Sequence, residues 1–213
     1  ILIVEVAATR IISPYYGNTI YTVSSVIGVT LGALSLGYYR GGKEGTHIKS
    51  MSGFYSVVLC SGVALLGLFF FTVMVLPYGG YLFSLRSGPI IWSLVLFFLP
   101  SYYMGKLSPL AIALSAKEHD TNIGEIVGSL FFWSTAGSIL GAIGTGFILV
   151  PYFGIKSILF IVTFTILAIG GIGRIAHAES RCKERMMVDL IFLFLITIII
   201  YAFALFYRTS GAV

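Results

Sequence analysis

Long apolar runs alternate along the chain with short polar or Gly/Pro-rich breaks, and that punctuation predicts seven helices. The first is partial and ends near Ser13-Pro14, because proline disfavours helix at the residue before it. The others are expected over residues 20–39, 53–76, from 89 into a proline-broken stretch, 124–150, 155–172 and 187–207. Runs of this kind suit a hydrocarbon core of about 30 Å, which takes about 20 residues to cross. Ile1 to Ile12 is too short for that, so the first helix is expected to begin upstream of Ile1. The fold class read from this pattern is all-α: residues 1–213 as a single transmembrane domain, a polytopic bundle of about seven spans with no soluble catalytic domain.

The fourth run, WSLVLFFLPSYYMGKLSPLAIALSAKEHD, is the least regular. Pro100 is expected to kink it, and Ser108-Pro109 to break it again, with Ser108 as N-cap and Pro109 at the first helical position. Broken helices line binding sites in some transporters, although a kink absorbed by packing explains the same residues.

Small residues mark where helices approach closely in lipid, since association there relies on packing rather than water exclusion. The second span carries Ser24, Gly28 and Gly32 at spacing four, with Ala33 and Gly37 on an adjacent stripe. The fifth carries Ser134, Ser138, Ala142 and Gly146, beside Gly137 and Gly141. Both helices are expected to be central and closely packed. The glycines lie inside an apolar helical run, so they do not form the strand-to-helix loop of a dinucleotide site.

Composition agrees with a membrane chain: 58% of the 213 residues are hydrophobic and 10% charged, against about 25% charged in soluble domains. Basic residues set the orientation. One set of loops and span ends holds Arg40, Lys43, Lys49, Lys106, Lys117, Arg174, Arg181, Lys183 and Arg185. The opposite set holds only Arg10, Arg86, Lys156 and Arg208. The expected arrangement is multi-pass in the plasma membrane, amino end cytoplasmic and carboxyl end outside. Tyr15, Tyr16, Tyr78, Tyr81 and Tyr152 fall at the outer ends, as an interfacial aromatic belt would.

Glu5 and Arg10 are the candidate intramembrane polar site, since a charge at mid-bilayer costs about 2.5–3.5 kcal/mol on insertion scales. They stand about 140° apart around a helix, so they do not face each other. Arg10 can snorkel from the helix end, and Glu5 is either a polar clamp to neighbouring helices or an acid serving a cation or amine. Glu125 and Asp189 fall at helix starts, where the dipole suffices to explain an acid. Cys60 and Cys182 make no disulfide framework, and Glu118, His119 and Asp120 have no compact metal spacing. No nucleophile–base or paired-carboxylate set is legible, so no catalytic residue, metal or cofactor is assigned to the chain. The basic residues form no tract interleaved with aromatics, so no nucleic-acid partner is expected.

Three stretches in order carry a family resemblance. EVAATRIISPYYGNTIYTVSSVIGVTLGALSLGYYRGGK resembles the opening of the membrane domain fused to bacterial and archaeal spermidine synthase-like proteins. FFLPSYYMGKLSPLAIALSAKE is similar to that family's Leu-Pro…Gly-Met-x-Ser-Pro segment, with Lys106-Leu107 where Met-Val is more usual. GEIVGSLFFWSTAGSILGAIGTGFILVPYFG resembles its glycine-rich fifth span and Pro-aromatic-Phe-Gly turn. That membrane domain is similar in turn to half of a major-facilitator transporter, and GYYRGGKEG resembles the facilitator loop of Gly, acidic–basic pair and Gly after the second span, with the acidic member absent. The resemblance implies an aminopropyltransferase-like domain after the last span, using decarboxylated S-adenosylmethionine and an amine. The chain stops at YRTSGAV, where that domain would begin, and no catalytic residue carries over.

Two functions follow as expectations. The first is an integral membrane anchoring or assembly domain, holding or recruiting a protein partner or a second copy and binding a small amine or lipid. The alternative is a small secondary transporter of a cationic or small solute, working as a dimer with Glu5 as its acid.

Overall fold

The computed structural model describes residues 2–46, 50–118 and 122–177, and among these every regular element is helical. The expected span over 187–207, and with it Asp189 and Cys182, lies outside the described residues, as do Lys49, His119 and Asp120.

Helix α1 (Leu2–Tyr16) carries Pro14 in its last turn and stops at Gly17, whose φ of +73° takes the chain out of the helix. A tight turn follows. The Thr22 N–H donates to Thr19 Oγ1 at 3.3 Å, and Thr22 Oγ1 donates to the Gly17 carbonyl at 2.9 Å. Helix α2 (Ile20–Gly45) thus begins on a threonine cap. It runs past the expected limit near Tyr39 through the polar GGKEG segment. Lys117 accounts for this: its ammonium donates to the Gly45 carbonyl at 3.2 Å, where a helix C-terminus presents unpaired acceptors.

Helix α3 (Met51–Phe70) passes through a π-helical turn (Phe71–Val75) into the short α4 (Leu76–Gly79). Helix α6 (Ile123–Gly144) does the same through Thr145–Leu149 into α7 (Val150–Ala176). Both wide turns precede a proline, Pro77 or Pro151. A proline ring collides with the carbonyl four residues back, here Val73 or Phe147, at the centre of each π turn. The chain accommodates the ring by skipping a residue: the Leu76 N–H reaches Phe71 O and the Val150 N–H reaches Thr145 O.

Helix α5 (Gly88–Glu118) runs unbroken through Pro100 and Pro109. The second break expected at Ser108-Pro109 therefore does not form, and Ser108 caps no new helix. Each proline removes one backbone bond, and the close packing of α5 on α2 described below holds the helix across the gap.

Four stretches are long and apolar enough to cross a membrane: Ile20–Gly45, Met51–Gly79, Gly88–Lys117 and Ile123–Ala176. The last has 54 residues, about 81 Å at helical rise, far beyond one bilayer core. Gly154, with φ 70° and ψ 162°, divides it just after Pro151. Among the described residues there are thus four candidate spans beside the short α1; the last, divided at Gly154, covers the fifth and sixth expected runs, and the seventh lies outside the described residues.

Helix α2 packs on α5, α5 on α3, and α3 on α7, while α1 lies among α2, α5, α6 and α7. The core where they meet is built from Ile12, Val26, Leu65, Phe69, Phe97 and Leu159. The bundle has two distinguishable ends. At one, Lys117 meets Gly45 and the Tyr55 ring stacks on His177; Arg40, Lys43, Lys106, Lys117 and Arg174 lie toward it. At the other, the Tyr15 and Tyr81 rings meet at 5.1 Å and Tyr16 packs on Gly88. Arg10, Arg86 and Lys156 belong to this second end. There Tyr78, Tyr81 and Tyr152 are exposed, whereas Tyr16 is buried.

Candidate functional site: a glycine seam closed by a buried lysine

Helix α2 presents Gly37, Gly41 and Gly45, four residues apart, to α5. A Cβ at Gly37 would overlap the Tyr102 carbonyl oxygen. One at Gly41 would lie 2.7 Å from the Lys106 carbonyl oxygen, and one at Gly45 2.8 Å from the Ala113 Cβ. From the other side, a Cβ at Gly105 would lie 2.8 Å from the Leu34 carbonyl oxygen. The two backbones are therefore in contact. In lipid, where burying apolar side chains between helices gains little, such contact is a principal source of helix association.

Lys106 sits inside this seam. Its Nζ is 2.5 Å from Glu44 Oε2, with the lysine side chain 9% exposed and the glutamate 40%. The ammonium also lies 5.8 Å from the ring centroids of both Tyr102 and Tyr103, within cation–π range. Next to Glu44 on α2, Lys43 lies over the Tyr39 ring at 4.5 Å. A lysine is tolerated so far from water because one carboxylate and two aromatic faces surround it. Glu44 remains in reach of solvent, so the pair is a partly open staple rather than a sealed one.

The residues singled out from the sequence are arranged differently. Glu5 is half-buried on α1, where its Oε1 accepts from Thr30 Oγ1 of α2 at 3.3 Å. Arg10 is exposed and forms no ion pair with it. Gly37 is in the seam, and a Cβ at Gly141 would touch Ile3 Cγ1 at 3.2 Å. At Gly28, Gly32 and Gly137 a Cβ would meet nothing within 4 Å among the described residues. Helix α6, expected to be central, has no buried residue, and Phe131, Phe132 and Trp133 are exposed on it. Pro100 is buried at the flank of α5, and Pro109 meets Gly41.

Gly41, Gly45, Gly105, Glu44 and the burial of Lys106 escaped sequence reading. The signal was present in the spacing Gly37-x3-Gly41-x3-Gly45, but Arg40, Lys43 and Glu44 made that stretch look like a loop.

Among the described residues, three hollows stand out on the flanks of the bundle. One of about 460 Å³ lies between α3 and α5, with Arg174 of α7 at its edge. A second, about 540 Å³, lies beside Tyr21, Ser24, Gly28 and Arg86. A third, about 160 Å³, separates Leu107 and Ser108 from Phe131 and Ser134. Glu5 lines none of the three.

The apolar helices and their exposed flanks define the class: a multi-pass helical membrane protein whose outer surface contacts the bilayer. No protein-family model, curated protein or solved structure matches the chain.

Proposed function

We propose that this chain is a membrane-embedded assembly domain that holds a protein partner or a second copy of itself. The observation that carries the reading is the α2–α5 seam, where glycines bring the backbones together and the Lys106–Glu44 pair ties the two helices within it. Such a pair is a stiff post. Beside it, α6 leaves Phe131, Phe132 and Trp133 uncovered, with open space at Gly128, Gly137 and Gly144 into which another helix can settle. The resemblance of three segments to the membrane domain of spermidine synthase-like proteins supports the same reading, with an aminopropyltransferase-like protein as the partner. The concentration of basic side chains at the Lys117 end supports placing that end in the cytoplasm of the cell that bears the protein in its plasma membrane.

The test is oligomeric state and partner retention after extraction in mild detergent. Trp133→Ala together with Gly137→Leu is expected to release the partner or second copy while thermal stability stays near that of the parent. Retention of an unchanged complex by this double variant would exclude α6 as the assembly face.

A second reading, a small secondary transporter, is favoured by one observation: the Glu5 carboxylate lies between α1 and α2 against Thr30. It requires proteoliposomes to take up a cationic solute and Glu5→Gln to abolish that uptake.

A further inference from the structure

We infer that the cleft between α3 and α5 binds an anionic phospholipid, its phosphate on Arg174 and one acyl chain along the apolar walls. The cleft has a built floor and open rims: Ala64, Leu68 and Leu96 are buried beneath it, whereas Val63, Val95 and Leu99 at its edges are more than two-fifths exposed. Among the described residues it therefore opens along the flank of the bundle, the face a membrane-spanning helix turns to lipid. Its volume of about 460 Å³ is in the range of ligand pockets. Its length fits a chain. On α3 it extends from Ser56 to Phe71, about 22 Å at helical rise, more than the roughly 15 Å of hydrocarbon in one leaflet.

Charge selects the headgroup. Arg174 is the only ionised side chain among the described residues lining the cleft, and no carboxylate among them pairs with it. It stands in the last turn of α7, at the bundle end that also carries Arg40, Lys43 and Lys117. A guanidinium there can hold a phosphate through two parallel hydrogen bonds. The opposite end of the cleft, at Phe71 and Val95, is apolar, as the tail requires.

Gly67 makes the site testable. It lines the cleft, and a Cβ there meets nothing within 4 Å, so a larger residue fills the hollow without striking α3's neighbours. Cys60, exposed on the rim, provides a reporter. The experiment is native mass spectrometry of the full chain with added phosphatidylglycerol or phosphatidylcholine. It is paired with maleimide labelling of Cys60 in a Cys182→Ser background.

Phosphatidylglycerol is expected to bind at least tenfold more tightly than phosphatidylcholine and to slow Cys60 labelling. Arg174→Gln should remove the preference, and Gly67→Leu should remove phosphatidylglycerol binding and its protection of Cys60. Equal binding of both lipids by the parent, or undiminished phosphatidylglycerol binding by Gly67→Leu, would overturn the proposal. So would Cys60 protection without lipid that disappears on deleting residues 187–207, or on dilution to monomer, since the cleft would then be covered by protein. The assembly reading uses α6 and is untouched by any of these results.

Discussion

The Lys106 ammonium and the Glu44 carboxylate meet at 2.5 Å across the α2–α5 seam, the lysine nearly enclosed and the glutamate two-fifths open to solvent. This asymmetry decides what each substitution does. Removing the partner of a fully buried charge costs about 3–5 kcal/mol, but an exposed pair contributes about 0–1 kcal/mol. Glu44→Gln falls between and is expected to lower stability by about 1–2 kcal/mol, read as a fall in thermal midpoint in detergent. Adding Lys106→Met removes the stranded ammonium while keeping an unbranched chain of similar volume. The double variant should recover the loss, and a double variant less stable than Glu44→Gln alone would refute this account.

The glycines fall into two groups that the same substitution separates. At Gly37 and Gly41 a Cβ runs into the backbone of α5, and overpacking of this kind costs about 1–3 kcal/mol. At Gly28 and Gly32 a Cβ meets no described atom within 4 Å, and alanine gains up to about 1 kcal/mol in helix propensity. Alanine at 37 or 41 should therefore lower the thermal midpoint, and alanine at 28 or 32 should leave it level or raise it. A clear loss at Gly28 or Gly32 would reveal a helix seated on that face.

Gly154 tests backbone conformation apart from packing. Its φ of 70° with ψ of 162° lies in a region almost reserved for glycine, although a Cβ there has open space around it. Gly154→Ala is expected to cost about 1–3 kcal/mol from conformation alone. Gly144 is the control: it is equally uncrowded but helical, with φ −59°. Gly144→Ala should be neutral or mildly stabilising in the same thermal unfolding measurement. Equal effects at the two positions would mean that the sharp division at Gly154 is not needed by the fold.

How much of this was legible depends on whether the cause is local. The apolar runs and the Pro-Tyr-x-Gly turns at Pro14 and Pro151 are read directly, because chain chemistry alone bends or ends a helix there. The related turn at Pro77-Tyr78-Gly79-Gly80 completes a set of three at one end of the bundle, and Tyr15 from the first rests on Gly80 of this one. The expected break at Ser108-Pro109 failed because its local cost is met by a distant contact, Pro109 against Gly41. Lys106 looked interfacial for the same reason: its partner lies on another helix, in a segment whose charges imitate a loop. The exposure of α6 among the described residues was also hidden, since small residues signal that a helix can approach closely without saying which helix it approaches.

Among the described residues Glu5 is held by a single neutral donor, and this sets the size of its effect. Thr30 Oγ1, nearly inaccessible, is also within 2.9 Å of the Val26 carbonyl and 3.1 Å of the Ile27 carbonyl, so its one proton is shared among three acceptors. Net contributions of hydrogen bonds to charged groups are about 1.5–3 kcal/mol when well formed; a shared bond of 3.3 Å should contribute less. Glu5→Gln keeps an acceptor for the hydroxyl and removes the charge, so it is expected to change thermal stability by under about 1 kcal/mol. Thr30→Val removes the donor in nearly the same shape and leaves the carboxylate half-buried without it, for a loss of about 1–2 kcal/mol. If Thr30→Val destabilises the parent but not Glu5→Gln, the two residues act as one clamp between α1 and α2. An unaltered midpoint in Thr30→Val would instead show that the Glu5 carboxylate is satisfied by water, as a solute-binding acid requires.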